Sequence, residues 1–176
     1  MKQALADALQ QRGYDIRNVR AVTKSLRSNI KPLDALRKLE VLPEFTESTD
    51  FQQLAVAFKR VRNIACELPD AEFELAERDG PDLRNLLNED AERHLLQELE
   101  QRGPIISNVI TVGEDYRTGF AEAARFGPVV DQFFSKVFVM VEDVELRRAR
   151  LRLVKRLERL ILKLADISEV VRGDDT

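Results

Sequence analysis

Apolar residues recur every three or four positions along most of this chain, the spacing of helices that bury one stripe. A short helix is predicted from about Gln3 to Gln11, stopped by Gly13. Asp15 can cap a second helix, running to about Asn29, with Val19, Val22 and Leu26 on one face. Pro32 suits the first turn of a third, which turns Leu33, Leu36 and Leu39 inward and is closed by Pro43. The clearest rhythm follows an Asp50 cap: Phe51, Leu54, Phe58, Val61, Ala65 and Leu68, ended by Pro69. Projected at about 100° per residue, Lys59, Arg60 and Asn63 fall on the opposite side of that helix.

Residues 70–82 are acidic, include Gly80 and Pro81, and read as a mobile connection. A helix from about Pro81 to Gln101 would bury Leu86, Leu87, Leu95, Leu96 and Leu99, with Gly103-Pro104 breaking or kinking it. Ile105–Val112 and Val137–Val141 are short, apolar and β-branched, so each fits strand or helix. For the first, a helix is preferred, because no second strand is evident to pair with it. Asp115 caps a helix to about Phe126, Pro128 opens another carrying Phe133 and Phe134, and the last runs from near Asp143 to Asp166. Its inner side holds Leu146, Leu153, Leu157, Leu160 and Leu164; its other side holds Arg148, Arg152, Lys155, Arg159 and Lys163. The predicted fold class is all-α, a helical bundle. It divides into N-terminal helices (1–45) packing on a main helical domain (46–171), with a frayed tail (172–176).

Composition supports this: Gly (7) and Pro (6) are sparse, Trp is absent, and charged residues make up 34%. The net charge of -3 hides an uneven distribution. Arg17, Arg20, Lys24, Arg27, Lys31, Arg37 and Lys38 form an early basic stretch, Glu67–Glu100 is acidic, and the last helix is basic again. A polyanion would be drawn to the basic faces and repelled by the middle. No apolar run approaches the ~20 residues needed to span a bilayer, nothing resembles a secretion signal, and the expected compartment is the cytoplasm.

Catalytic patterns are absent: no Gly-rich phosphate loop, no nucleophile elbow, no zinc-protease motif. Cys66 and His94, each the sole residue of its type, make neither a metal site nor a nucleophile pair. Cys66 is expected to be a small buried thiol. Two places stand out. Lys59, Arg60 and Asn63, with Arg62 flanking, can neutralise phosphates and hydrogen-bond base edges, although a solvated helix face has the same pattern. Arg150 projects near the apolar stripe of the last helix, where a guanidinium needs an internal partner. Tyr116 and Phe120 are the better aromatic candidates for exposure, since Phe51, Phe58, Phe133 and Phe134 have core spacing.

Several segments carry a family resemblance. Phe133-Phe134-Ser135-Lys136-Val137-Phe138-Val139-Met140, Glu145-Leu146-Arg147, Arg150-Leu151 and Ala165-Asp166-Ile167-Ser168 resemble the C-terminus of bacterial glycyl-tRNA synthetase β subunits. Ala57 to Ile64, Pro32-Leu33-Asp34-Ala35 and Gly13-Tyr14-Asp15 are similar to earlier parts of the same region. Ala149 departs from the family, in which many members have Asn there.

The resemblance implies an anticodon-binding bundle of the DALR class and a piece of a much longer subunit. It also implies tRNA-Gly, the rest of the β subunit and the α subunit as partners. Glycyl-adenylate chemistry, with its ATP and Mg, would belong to the separate α subunit, leaving no cofactor and no catalytic residue here. Lys59, Arg60, Arg62 and Asn63, with Arg147 and Arg148 as backbone contacts, become the expected RNA-binding residues. The alternative is a helical protein-interaction or assembly module of the synthetase.

Overall fold

A computed structural model describes residues 2–24 and 31–172. Among them the chain forms ten α-helices: α1 (Lys2–Gln11), α2 (Ile16–Lys24), α3 (Pro32–Thr46), α4 (Thr49–Ala65), α5 (Asp70–Asp79), α6 (Leu83–Leu86), α7 (Asp90–Val112), α8 (Tyr116–Ala124), α9 (Phe126–Lys136) and α10 (Val144–Leu162). A 3-10 turn, Ile167–Val170, follows, and no described residue lies in a strand. The all-α expectation is met. Expected features at Leu26, Arg27, the run to Asn29 and the tail beyond Arg172 lie outside the described residues.

The centre of the bundle is α4. Its heptad-like stripe Phe51, Leu54, Phe58, Val61 and Ala65 is fully buried against α9, α10 and the 3-10 turn. Ser48, not Asp50, caps it, accepting from the Phe51 N–H at 3.3 Å. Helix α9 approaches so closely that a Cβ at Gly127 would lie 2.1 Å from the Asp50 carbonyl oxygen. Phe45, Phe51 and Phe120 stack tilted and edge-on, with centroids 6.0–6.3 Å apart, where α3, α4 and α8 meet. The beginning and end of the described chain are knitted together. The Asp166 N–H donates to the Ala21 carbonyl at 2.8 Å, the Gln52 amide to that of Val170 at 3.1 Å, and Lys24 pairs with Glu169.

Several local expectations are corrected. Pro43 does not close α3, which runs on to Thr46, and Leu33 is exposed. Gly103-Pro104 does not break α7, because both halves are anchored, Leu95, Leu96 and Leu99 before it and Ile106 and Val109 after it. That packing outweighs the roughly 3 kcal/mol that an interior proline costs. The expected helix over 81–101 is instead two, with Leu87 extended between α6 and α7. The acidic stretch from residue 70 is not a mobile connection but helix α5, whose Asp70, Glu74 and Glu77 face α10. Residues 137–141 lie in neither a strand nor a helix. Cys66 is exposed, as the residue after the last turn of α4, while Tyr116 and Phe120 are buried.

Candidate nucleic-acid interface

The outer side of α4 carries Lys59, Arg60 and Asn63, all exposed. The side chains of Lys59 and Asn63 have no hydrogen-bond or ionic partner among the described residues; the Asn63 carbonyl accepts from the Cys66 thiol at 3.0 Å. Arg60 is held differently: its guanidinium lies 4.4 Å from the centroid of the Phe134 ring on α9. Phe134 is half-buried and packs edge-on against the buried Phe133, centroids 5.2 Å apart. Such a cation–π contact is worth about 0.5–1 kcal/mol at an exposed site, and Arg60 remains exposed above the ring.

Phe134 is the functional candidate that sequence reasoning placed in the core. Adjacent helical residues point about 100° apart, so a Phe-Phe pair cannot bury both rings equally. That was the available signal.

Arg62 points elsewhere. Its Nη1 donates to Asp166 Oδ2 at 2.5 Å, a buried carboxylate that also accepts from the Ser168 hydroxyl at 2.6 Å. Glu158 lies 4.0 Å from Arg62 Nε, and burial pushes the Glu158 carboxyl above its usual range. Arg147 is half-buried and donates to the Val141 carbonyl at 3.2 Å. Arg148 is exposed, but it lines a groove with Glu72, Asp79 and Glu145. Neither Arg147 nor Arg148 shares a hydrogen bond or ion pair with Lys59, Arg60 or Asn63 among the described residues.

The basic side of α10 is largely covered. Arg152 and Lys155 are buried, Arg152 reaching Glu77 at 2.8 Å and the Pro81 carbonyl at 2.7 Å. Lys155 reaches Asp70 at 2.9 Å and the Leu68 carbonyl at 2.5 Å. Arg156 shares Glu77, and Arg159 lies 3.1 Å from Asp70 with its guanidinium 4.6 Å from the Phe73 ring centroid. Burial raises the Glu77 carboxyl, but hydrogen bonds from Arg156 and Arg152 outweigh it and hold the group below the usual glutamate range. The acidic middle of the sequence therefore neutralises the last helix rather than repelling a polyanion beside it.

Arg150 is enclosed. It pairs with Glu92, which is fully buried, and donates to the Phe138 carbonyl at 2.8 Å. The other Glu92 oxygen accepts the backbone N–H groups of Asn88 (3.0 Å) and Glu89 (2.8 Å), so one carboxylate joins the start of α7 to α10. No group of three or more His, Cys, Asp or Glu residues among the described residues is placed to hold a metal ion. No helix among them is long and apolar enough to cross a membrane.

Comparison with known proteins gives these surfaces a context. The chain is 34% identical over 140 residues to the glycine–tRNA ligase β subunit of Acidobacterium capsulatum, covering 79% of this chain and 20% of that protein. Against the glycine–tRNA ligase β subunit of Citrifermentans bemidjiense it is 37% identical over 141 residues, 78% of this chain and 19% of the relative. The corresponding subunit of Nitratidesulfovibrio vulgaris is 36% identical over 155 residues, 88% of this chain and 21% of the relative. The chain is homologous to a region of glycine–tRNA ligase β subunits. It spans about one fifth of the length of these relatives. No protein-family model matches it.

Proposed function

We propose that this chain is a non-catalytic tRNA-binding bundle of the glycine–tRNA ligase β subunit, docking the anticodon region of tRNA-Gly. The observation that carries this reading is the α4 face, where the side chains of Lys59 and Asn63 have no partner among the described residues and the Arg60 guanidinium sits over the Phe134 ring. Most other cations of the bundle are engaged with carboxylates or carbonyls, so this face keeps its charge for a ligand. Lys59 would meet a phosphate. The exposed Arg60 guanidinium can stack on a splayed base while its N–H groups and the Asn63 amide hydrogen-bond base edges. Arg62 is left out because Asp166 holds it, and Arg148 because three carboxylates share its groove. Aminoacylation with ATP and Mg is assigned to the α subunit, the rest of the β subunit completing the partner set in the cytoplasm. The DALR subtype belongs to this same reading.

The test is anisotropy titration of labelled tRNA-Gly across a salt series. Lys59→Ala with Arg60→Ala should weaken binding at least about tenfold and flatten the salt slope by roughly one to two phosphate contacts. An altered anticodon should bind the unmodified chain more weakly. Unchanged affinity in the double variant, with far-UV helicity intact, rules out this face.

A further inference from the structure

We propose that the groove between α5 and α10 docks a basic amphipathic helix of a partner polypeptide. It is a depression of about 690 Å³ floored by Leu68, Leu75, Ala76, Leu86 and Ala149. Leu75 is 54% exposed although it sits mid-helix, so an apolar side chain faces water where a polar one would serve the monomer better. The arrangement follows from how α5 is used. Phe73 turns to the core, and Asp70, Glu74 and Glu77 turn to the α10 bases. That leaves Glu72, Leu75, Ala76 and Asp79 as an outer face lining the groove.

Charge complementarity selects the occupant. Glu72 and Glu145 stand at the rim, with Asp79, which pairs with Arg78 at 3.0 Å, against one cation without a partner among the described residues, Arg148; Arg152, which also lines the groove, is neutralised by Glu77. A phosphate backbone is repelled by that rim and gains nothing from a leucine floor. A helix carrying leucine-type side chains at three- and four-residue spacing, flanked by Lys or Arg, satisfies both floor and rim. Arg148 then sets its direction by taking an acidic group or the carbonyl end of the incoming helix. The groove is separate from the α4 face, so this inference stands or falls independently of RNA binding.

The probe is a fluorescein-labelled helical peptide of leucine and lysine, about 14 residues or roughly four turns long, with a twin in which glutamate replaces lysine. The lysine peptide should bind, the glutamate twin should bind at least about tenfold more weakly, and Leu75→Asp should reduce lysine-peptide binding by a similar factor. Glu72→Lys with Asp79→Lys should invert the preference between the two peptides. These positions are exposed, so circular dichroism should show unchanged helicity, and the charge-reversed variant tests the rim even if Leu75→Asp disturbs α5. Equal binding of the twins, no effect of Leu75→Asp in a folded chain, or no inversion overturns the proposal. So does loss of tRNA-Gly binding in Leu75→Asp, which would make the groove an RNA surface.

Discussion

Replacing Arg150 by methionine removes the cation that pairs with the buried Glu92 carboxylate and leaves it only backbone N–H groups at the start of α7. Glu92 is 0% exposed. The two backbone N–H groups on its far oxygen, at 3.0 and 2.8 Å, still hold it in place and still require an acceptor there. The carboxylate therefore cannot swing out to water without uncapping α7. Breaking a buried pair from one side costs about 3–5 kcal/mol, because the remaining charge is left desolvated. For a chain of this length that corresponds to a melting temperature lower by about 6–20 °C, at roughly 2–4 °C per kcal/mol. Urea unfolding followed by far-UV circular dichroism, paired with a thermal scan, reads both. Arg150→Met with Glu92→Gln should recover part of the loss, since a neutral amide oxygen can still accept the Asn88 and Glu89 N–H groups. A loss below about 1 kcal/mol for Arg150→Met, the range of exposed ion pairs, would refute the reasoning.

Other consequences are as direct. Burial pushes the Lys38 amine down to about 8 from 10.5, where it donates to the Lys163 carbonyl at 3.1 Å. The unfolded chain then binds the extra proton between those values, so stability should rise with pH from about 8 to 10, by up to ~3 kcal/mol. Lys38→Met should flatten that rise in urea midpoints; a variant with the same slope refutes the assignment. Gly127→Ala, whose Cβ would meet the Asp50 carbonyl oxygen at 2.1 Å, should destabilise by about 2 kcal/mol or more. An unchanged urea midpoint would mean that α9 can move aside. Below about pH 4.5 the α5 carboxylates lose their hold as pH falls through their lowered folded values. Amide exchange of α5 should then accelerate before that of α4, and simultaneous loss would contradict the order. Alkylation of Cys66, which donates to the Asn63 carbonyl, should slow when tRNA-Gly is bound, as mass spectrometry would register.

What the sequence revealed was mostly what is local. The Asp15 and Asp115 caps were readable because each accepts an N–H group two or three residues ahead. The α4 stripe was readable because its period is intrinsic to the helix. Proline positions misled, since Pro43 and Pro104 weaken a helix locally while packing on neighbouring helices decides whether it continues. The acidic run from Asp70 looked mobile because its partners, Arg152 to Arg159, lie about eighty residues away and no local window contains both. For the same reason the wheel for α10 grouped Arg152 and Lys155 correctly on one side yet missed that another helix covers it. At the candidate site, Lys59, Arg60 and Asn63 were legible as one exposed face. The Phe134 ring beneath Arg60 comes from a different helix and was not.

The knitting of residues 166–172 to α2 and α4 also bears on the order in which a ribosome delivers the chain. Helix α4 emerges early, but its apolar stripe is closed by α9, α10 and the 3-10 turn, and the Ala21 carbonyl waits for the Asp166 N–H. A nascent chain halted before residue 166 holds most of its helices but lacks the clasp that joins its first quarter to its last. The finished bundle therefore rests on contacts between distant parts of the chain, unlike bundles whose helices pack in sequence order. Until α8, α9 and α10 have been made, the phenylalanines of α4 lack most of the surface that buries them.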